Sequence, residues 1–222
     1  MFKYLELATE TYDNKRWYHT EKGAYPSITT VLGHTVSQEK IDVLNKWRES
    51  LGHEKADEYT KSRAAHGTMV HLLAERYLNG EDLFAPVGGQ EIPEYDIRAF
   101  KALKLKLNKI QKIWGQEVAL VSSKLEVAGR CDLIGMYNDK PVIIDFKTSA
   151  RIKNDADIED YKLQLCFYAI AHNEMFNTQI TDGVIMMVAN GLPLEFNVYL
   201  PTFAEMLQKR VNLFWKNTIN NL

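Results

Sequence analysis

The sequence predicts one α/β domain, a central mixed β-sheet flanked by helices, with further helices gathered in the N-terminal half. Three observations predict it. Residues 129–149 read as two apolar strands that meet at a turn around Asn138-Asp139-Lys140-Pro141. The stretches 53–79 and 158–176 are too long for strands and carry apolar residues at helical spacing. A chain of 222 residues, 45% of them hydrophobic, buries one sizeable core without requiring a second. Within that single domain, spanning 1–222, residues 1–115 form an N-terminal hairpin and helices that cover a site. Residues 116–200 form the core, and 201–222 a C-terminal helix.

Taken in order, residues 1–25 read as an extended hairpin. Tyr4-Leu5-Glu6-Leu7 lies against Arg16-Trp17-Tyr18-His19 across a turn at Asp13-Asn14-Lys15. Pro26 and Ser27 open a short helix that Gly33 stops. Ser37 caps another helix through about residue 50, on which Trp47 reads as packing and Arg48 as a solvated charge. A long helical stretch over 53–79 ends at Gly80, with a break expected near Gly67. Its second half, 69–78, is apolar nearly all round, which predicts burial. Residues 80–93 form a loop.

A helix expected over about 94–114 carries Arg98, Lys101, Lys104, Lys106, Lys109 and Lys112. Lys101, Lys104 and Lys112 fall on overlapping faces, so a phosphate-binding stripe competes there with an ordinary solvated face. Strands follow over 117–123, 125–137 and 142–148, then a loop over 149–154 with Arg151 and Lys153. A helix over about 158–176 buries Leu163, Leu165, Phe167 and Ile170. Residues 181–190 and 194–200 pair around Gly191, and an amphipathic helix over 202–217 closes the chain.

Lys and Arg number 27 against 29 Asp and Glu, a net charge of −2. A protein that coats duplex DNA without selectivity is usually basic, so any nucleic-acid contact must be local. The two cysteines, Cys131 and Cys166, each lie in an apolar segment and read as small buried side chains in a reducing compartment. Neither a targeting segment nor a long apolar run is present, which predicts a soluble protein of the cytoplasm (bacterial, or that of a phage's host) with no membrane partner.

The charges of the central hairpin stand at telling positions. Side chains alternate along a strand, so Asp145 and Lys147 share one face while Val142, Ile144 and Phe146 take the other. A two-residue loop at Asp139-Lys140 sets Asp132 opposite Lys147 and brings all three groups to one face, unless a bulge near Gly129 shifts the register. Carboxylates among valines and isoleucines are costly unless paired or bound to metal. An Asp–Lys ion pair uses one carboxylate and leaves the second unexplained. A divalent-cation site uses both, with the lysine holding a water. Two further pairs share helix faces at i,i+4: His71 with Glu75, and Gln164 with Tyr168.

Gly129-Arg-Cys-Asp132, the strand ending Asp145-Phe-Lys147-Thr-Ser, and the helix Tyr161-Lys-Leu-Gln164-Leu-Cys-Phe-Tyr168 together resemble the PD-(D/E)XK nuclease superfamily, in particular its RecB-type exonuclease branch. Gly67-Thr-Met-Val-His71 resembles that branch's G-x-x-x-H element, and the 25–32 block Y-P-S-I-T-T-V-L resembles mitochondrial genome maintenance exonucleases and their phage relatives. The resemblance implies a restriction-endonuclease-like core. It implies Mg²⁺ or Mn²⁺ held by Asp132, Asp145, the Phe146 carbonyl and His71, with Glu75 a weaker candidate acting through water or by orienting His71. Asp132, Asp145 and Lys147 would be catalytic, and Gln164 and Tyr168 would position the strand. Arg151 and Lys153, just beyond Lys147, are better phosphate contacts than Lys101 and Lys104.

The implied activity is a metal-dependent DNA exonuclease of replication, recombination or repair, acting as a monomer on single strands or free ends. Two widely spaced cysteines exclude the iron–sulfur cluster of some relatives. The competing readings are a catalytically silent DNA-binding module of the same fold, a dimeric structure-specific endonuclease, and a non-nuclease hydrolase whose D-x-K is coincidental. Protein partners are not read from the sequence.

Overall fold

The chain opens with three short antiparallel strands, β1 (Thr9–Tyr12), β2 (Lys15–Thr20) and β3 (Gly23–Pro26). Asp13 and Asn14 take positive φ (50° and 57°) in the first turn, a conformation that Asp and Asn tolerate. Thus β2 pairs with Thr9–Tyr12 rather than with the expected residues 4–7. That earlier segment runs to the main sheet, where Leu5 bridges to Ala119. The structure is a computed structural model that describes residues 2–219; residues 220–222, the end of the expected C-terminal segment, lie outside them.

Ser27 caps α1 (Ile28–Gly33) through its Oγ, which accepts the Thr30 N–H at 3.0 Å. Ser37 likewise precedes α2 (Gln38–Leu51), none of whose residues is buried. On it, Trp47 packs edge-on against Tyr59 and Arg48 pairs with Asp57 at 2.7 Å, in keeping with the packing-and-charge reading. Gly52 (φ 88°) then turns the chain into α3 (His53–Asn79). This helix runs unbroken through Gly67, against the expected break. It is also buried on one side only, through Val70, Leu73 and Ala74, because its other side opens onto a cleft.

α4 (Glu94–Leu107) stops seven residues before the expected end. Its buried Phe100, Leu103 and Leu107 complete the packing, and the Asn108 N–H closes it onto Lys104. Residues 110–114 instead begin β4 (Ile110–Ser122), drawn into the sheet by pairing Ile110 with Tyr137 and Ile113 with Gly135. Lys112 is therefore on a strand, and the stripe of Lys101, Lys104 and Lys112 does not form.

β5 (Val127–Tyr137), β6 (Lys140–Ser149), α5 (Glu159–Phe176), β7 (Asp182–Ala189), β8 (Leu192–Tyr199) and α6 (Ala204–Ile219) complete the chain. The strands lie in the order β4-β5-β6-β7-β8. All neighbours are antiparallel except β6 and β7, which α5 connects as a parallel crossover, so the sheet is mixed. Successive residues face opposite layers. Ile143, Ile185 and Met187 pack with Phe167 and Phe214 on the face of α1, α5 and α6. Ile144, Phe146 and Met186 pack with Leu73, Phe100 and Leu103 on the face of α3 and α4. A buried His66–Asp96 pair further joins α3 to α4. No helix among the described residues is long and apolar enough to cross a membrane.

The β5–β6 register differs from expectation by two residues. Tyr137 faces Lys140, and the turn is Asn138-Asp139 with φ of 49° and 60°. The expected turn would have forced Lys140 into the left-handed region, which Asn and Asp enter more readily. A slip of two leaves every side chain on its face. Pairing also ends at Leu133–Ile144, so Asp132 does not stand opposite Lys147 in the ladder.

Along the outer pair, Gly135 is required by contact. A Cβ there would lie 2.1 Å from the Lys112 carbonyl oxygen, at the irregular stretch of β4. Backbone cannot rotate aside as a side chain can. Gly135→Ala is expected to lower stability by about 3 kcal/mol or more, read as a fall in the urea midpoint at unchanged slope.

Candidate active site

Where β5 and β6 stop pairing, the strands part and a side chain takes over from the ladder. Asp132 Oδ2 accepts the Phe146 N–H at 2.7 Å, which fixes that carboxylate over the end of β6. Asp145 lies beneath it with no solvent exposure. Its Oδ1 lacks a hydrogen-bond donor, and its Oδ2 has one close partner, the Lys147 ammonium. Burial pushes the Asp145 carboxyl up to about 6, Lys147 pulls it back in part, and Asp132 raises it further. Burial opposes the Lys147 charge, yet Asp145 and Asp132 outweigh it and hold the ammonium above its ordinary range. The ammonium also lies 5.1 Å from the Tyr161 ring centre.

From the opposite side α3 brings His71 and Glu75. His71 Nε2 donates to the Phe146 carbonyl at 2.8 Å, leaving Nδ1 3.6 Å from Asp132 Oδ2. The sequence reading missed a third contributor, Glu117. It sits on β4 between the pairs Gln116–Leu133 and Val118–Cys131, hence beside Asp132. Its φ of 50° departs from strand geometry, and Arg130 holds its carbonyl at 2.9 Å. One ligand atom each of His71, Glu117 and Asp132 lies within 4.8 Å of the others. Burial first, then Asp132, raises the Glu117 carboxyl to about 7, with His71 opposing and Glu75 adding.

α5 supplies Gln164 and Tyr168, both buried and both facing the cleft. Gln164 Nε2 donates to the Tyr168 hydroxyl at 2.9 Å, and that hydroxyl donates to the Arg130 carbonyl at 2.6 Å. They are bonded to each other and also border the cleft. Gly129 makes room for this arrangement, since a Cβ there would come 2.9 Å from the Tyr168 ring.

The cleft has a volume of about 540 Å³ and is bordered by His71, Glu75, Glu117, Asp132, Lys147, Gln164 and Tyr168. The other sequence candidates lie elsewhere. Arg151 grips Asp157 through two bonds of 2.7 and 3.0 Å, and Lys153 bonds the Tyr161 hydroxyl at 2.8 Å. Lys104 lies 4.7 Å over the Tyr77 ring, and Lys101 is exposed on α4. None of these four borders the cleft. Cys131 and Cys166 are buried free thiols.

The donors suit a hard divalent cation, with carboxylate oxygens, a carbonyl and one imidazole converging from β4, β5, β6 and α3. The unbonded Oδ1 of Asp145 carries the fit. A buried carboxylate whose one close donor is an ammonium retains acceptor capacity that a cation beside it would use.

A family model described as the PD-(D/E)XK nuclease superfamily matches residues 45–212. Mitochondrial genome maintenance exonuclease 1 of Xenopus tropicalis is 30% identical over 176 residues, covering 76% of this chain and 50% of that protein. The proteins of the same name from Mus musculus and Homo sapiens are 26% and 24% identical, each over 174 residues, covering 75% of this chain and 50% of theirs. The chain thus spans half the length of these relatives.

Proposed function

The chain belongs to the PD-(D/E)XK nuclease superfamily, and we propose that its cleft hydrolyses phosphodiester bonds of DNA as a Mg²⁺- or Mn²⁺-dependent exonuclease. The observation that carries this reading is Asp145, a fully buried carboxylate whose one close donor is the Lys147 ammonium, at the parted strand ends. The relatives named as exonucleases support the exonucleolytic form.

Asp132, Asp145, Glu117, His71 and the Phe146 carbonyl would hold the cation, with Glu75 reaching it through water. When bound, it would polarise the scissile phosphate and lower the pKa of the attacking water. Asp132 is kept oriented by the Phe146 N–H. Lys147, held above the ordinary lysine range, stays an ammonium at neutral pH. It therefore donates hydrogen bonds to water or phosphate and offsets developing negative charge, rather than taking up the water's proton. Gln164 and Tyr168, locked together and onto the Arg130 carbonyl, form a rigid wall for the strand.

The positions of α2 and α3 support a proposed preference for single strands with a free end. Lys40 near the start of α2 reaches Asp160 at 3.5 Å, at the start of α5, while α3 borders the cleft itself. We read the helical pair as a cover under which a strand enters by its end. On this reading the protein acts as a monomer in DNA replication, recombination or repair.

The test is digestion of end-labelled linear single-stranded DNA in Mg²⁺, Mn²⁺ or EDTA, beside a circular strand and beside Lys147→Ala. Metal-dependent shortening of the linear strand is expected, with the circle spared and the variant slower by about a hundredfold or more. A rapidly cut circle would make the protein an endonuclease. Binding without cleavage in any metal would make it a silent DNA-binding module.

A further inference from the structure

We propose that the N-terminal sheet and α1 carry a second phosphate-binding segment, in which Arg16, Arg130 and the Thr29 hydroxyl hold a phosphodiester of single-stranded nucleic acid flanking the one being cut. This rests on the nuclease reading above.

Arg16 and Thr29 lie outside the matched residues 45–212, on the N-terminal sheet and α1. Their attachment is rigid. Tyr18 and Tyr25 pack with Ala128 in a small core of their own, and Ser27 bridges to Ala128 on β5. The Arg16 backbone is held at both ends, its N–H by Thr30 Oγ1 at 3.0 Å and its carbonyl by the Ser27 N–H at 2.8 Å. Its side chain is nevertheless free to reach outward. In the 25–32 block every residue is buried except Thr29. Within β5, buried from Val127 to Gly135, Arg130 alone is exposed. An exposed arginine in such a strand, and one exposed hydroxyl in such a block, open onto the same cleft.

Among the described residues neither guanidinium has a carboxylate within ion-pair distance. Arg130 uses one N–H on the Glu117 carbonyl, so most of its donors remain available. The catalytic cleft also continues past this point. A second cavity of about 380 Å³, bordered by Asn14, His34, Arg16 and Thr29, shares the last two residues with it. A strand leaving the cation-binding carboxylates over this edge crosses two unpaired guanidinium groups. In a chain of net charge −2, such a local pair is what a phosphate contact requires.

Fluorescence anisotropy of a labelled single strand in EDTA, at several salt concentrations, tests the proposal with Arg16→Glu beside Lys22→Glu. Lys22 offers the same charge change on the same small sheet and borders neither cavity. Arg16→Glu is expected to weaken binding about tenfold or more and to reduce the salt slope by about 0.7, while Lys22→Glu changes little. A single neutral methylphosphonate walked along the strand should find one position that costs the wild type affinity and costs Arg16→Glu none. Thermal melting controls for folding, and Arg16→Gln replaces Arg16→Glu if the latter melts early. Equal losses from Arg16 and Lys22, or no position-specific loss, would overturn the proposal while cleavage by the wild type left the nuclease reading standing. Absence of metal-dependent cleavage in the wild type would overturn both.

Discussion

Asp145→Asn is expected to make the metal-free protein more stable while it destroys cleavage. The side chain is fully buried, and its carboxyl is pushed from 3.8 to about 6 by burial even with Lys147 beside it. A folded-state pKa above the unfolded one means that the native protein binds this proton more tightly. The group therefore favours folding below the unfolded value, and that contribution disappears as pH rises through about 6. Above that pH the native state bears a cost of about 3 kcal/mol at most. Asparagine, neutral and of the same shape, removes it. In EDTA at pH 8 the variant should melt about 4–8 °C above wild type. The gap should open between pH 4 and 6 and stay level above. Mn²⁺ should raise the wild type more than the variant and so narrow the gap. Cleavage should fall by more than about a hundredfold, beyond what loss of an outer partner of a metal ligand costs. A variant less stable than wild type at pH 8 would mean that Lys147, deprived of its partner, outweighs the relief of Asp145.

That trade is the physical reason the site could be read in the sequence at all. Charges placed against burial, such as Asp145 and Lys147 among Val142, Ile144 and Phe146, stand out because alternation fixes their face regardless of the exact register. The register itself was also legible. Only Asn138 and Asp139, not Lys140, suit two successive positive-φ positions, and that chemistry places the turn there. The end of α4 is not announced locally, because Leu103, Leu107, Ile110 and Trp114 continue helical spacing past it. Pairing with Tyr137 and Gly135, more than twenty residues away in sequence, decides it. No local pattern announces that residues 4–7 cross to Ala119, or that Arg16 and Thr29 reach the catalytic cleft. Those are products of docking. Glu117 escaped for a simpler reason. Placed at the start of the expected strand 117–123, a charge reads as a strand end; inside the observed Ile110–Ser122 it is an interior charge that needs a purpose.

Glu117→Gln tests that purpose through the cation rather than through the reaction. The carboxyl is raised to about 7, by burial first and Asp132 next, so in the metal-free protein it is largely protonated below that pH. A cation that uses it must then displace its proton, and binding becomes linked to pH. In the wild type, log affinity for Mn²⁺ should climb by about one per pH unit between 6 and 7 and more steeply below 6, where Asp145 is protonated too, and flatten above 7. Calorimetry in buffers of different ionisation enthalpy should count more protons released at pH 6 by the wild type than by the variant, the difference being Glu117's own, close to one. The glutamine variant cannot ionise. It should bind Mn²⁺ roughly 10- to 100-fold more weakly at pH 8, and that deficit should shrink as pH falls, since the wild type loses the same ligand to protonation. Asp132 and His71, with ligand atoms within 4.8 Å of Glu117 and of each other, remain in both proteins, so binding itself should survive. If the two affinity curves instead run parallel across pH 5.5–8, Glu117 is no ligand. Its positive φ and its bond from Arg130 would then serve only to bend β4 around the cleft.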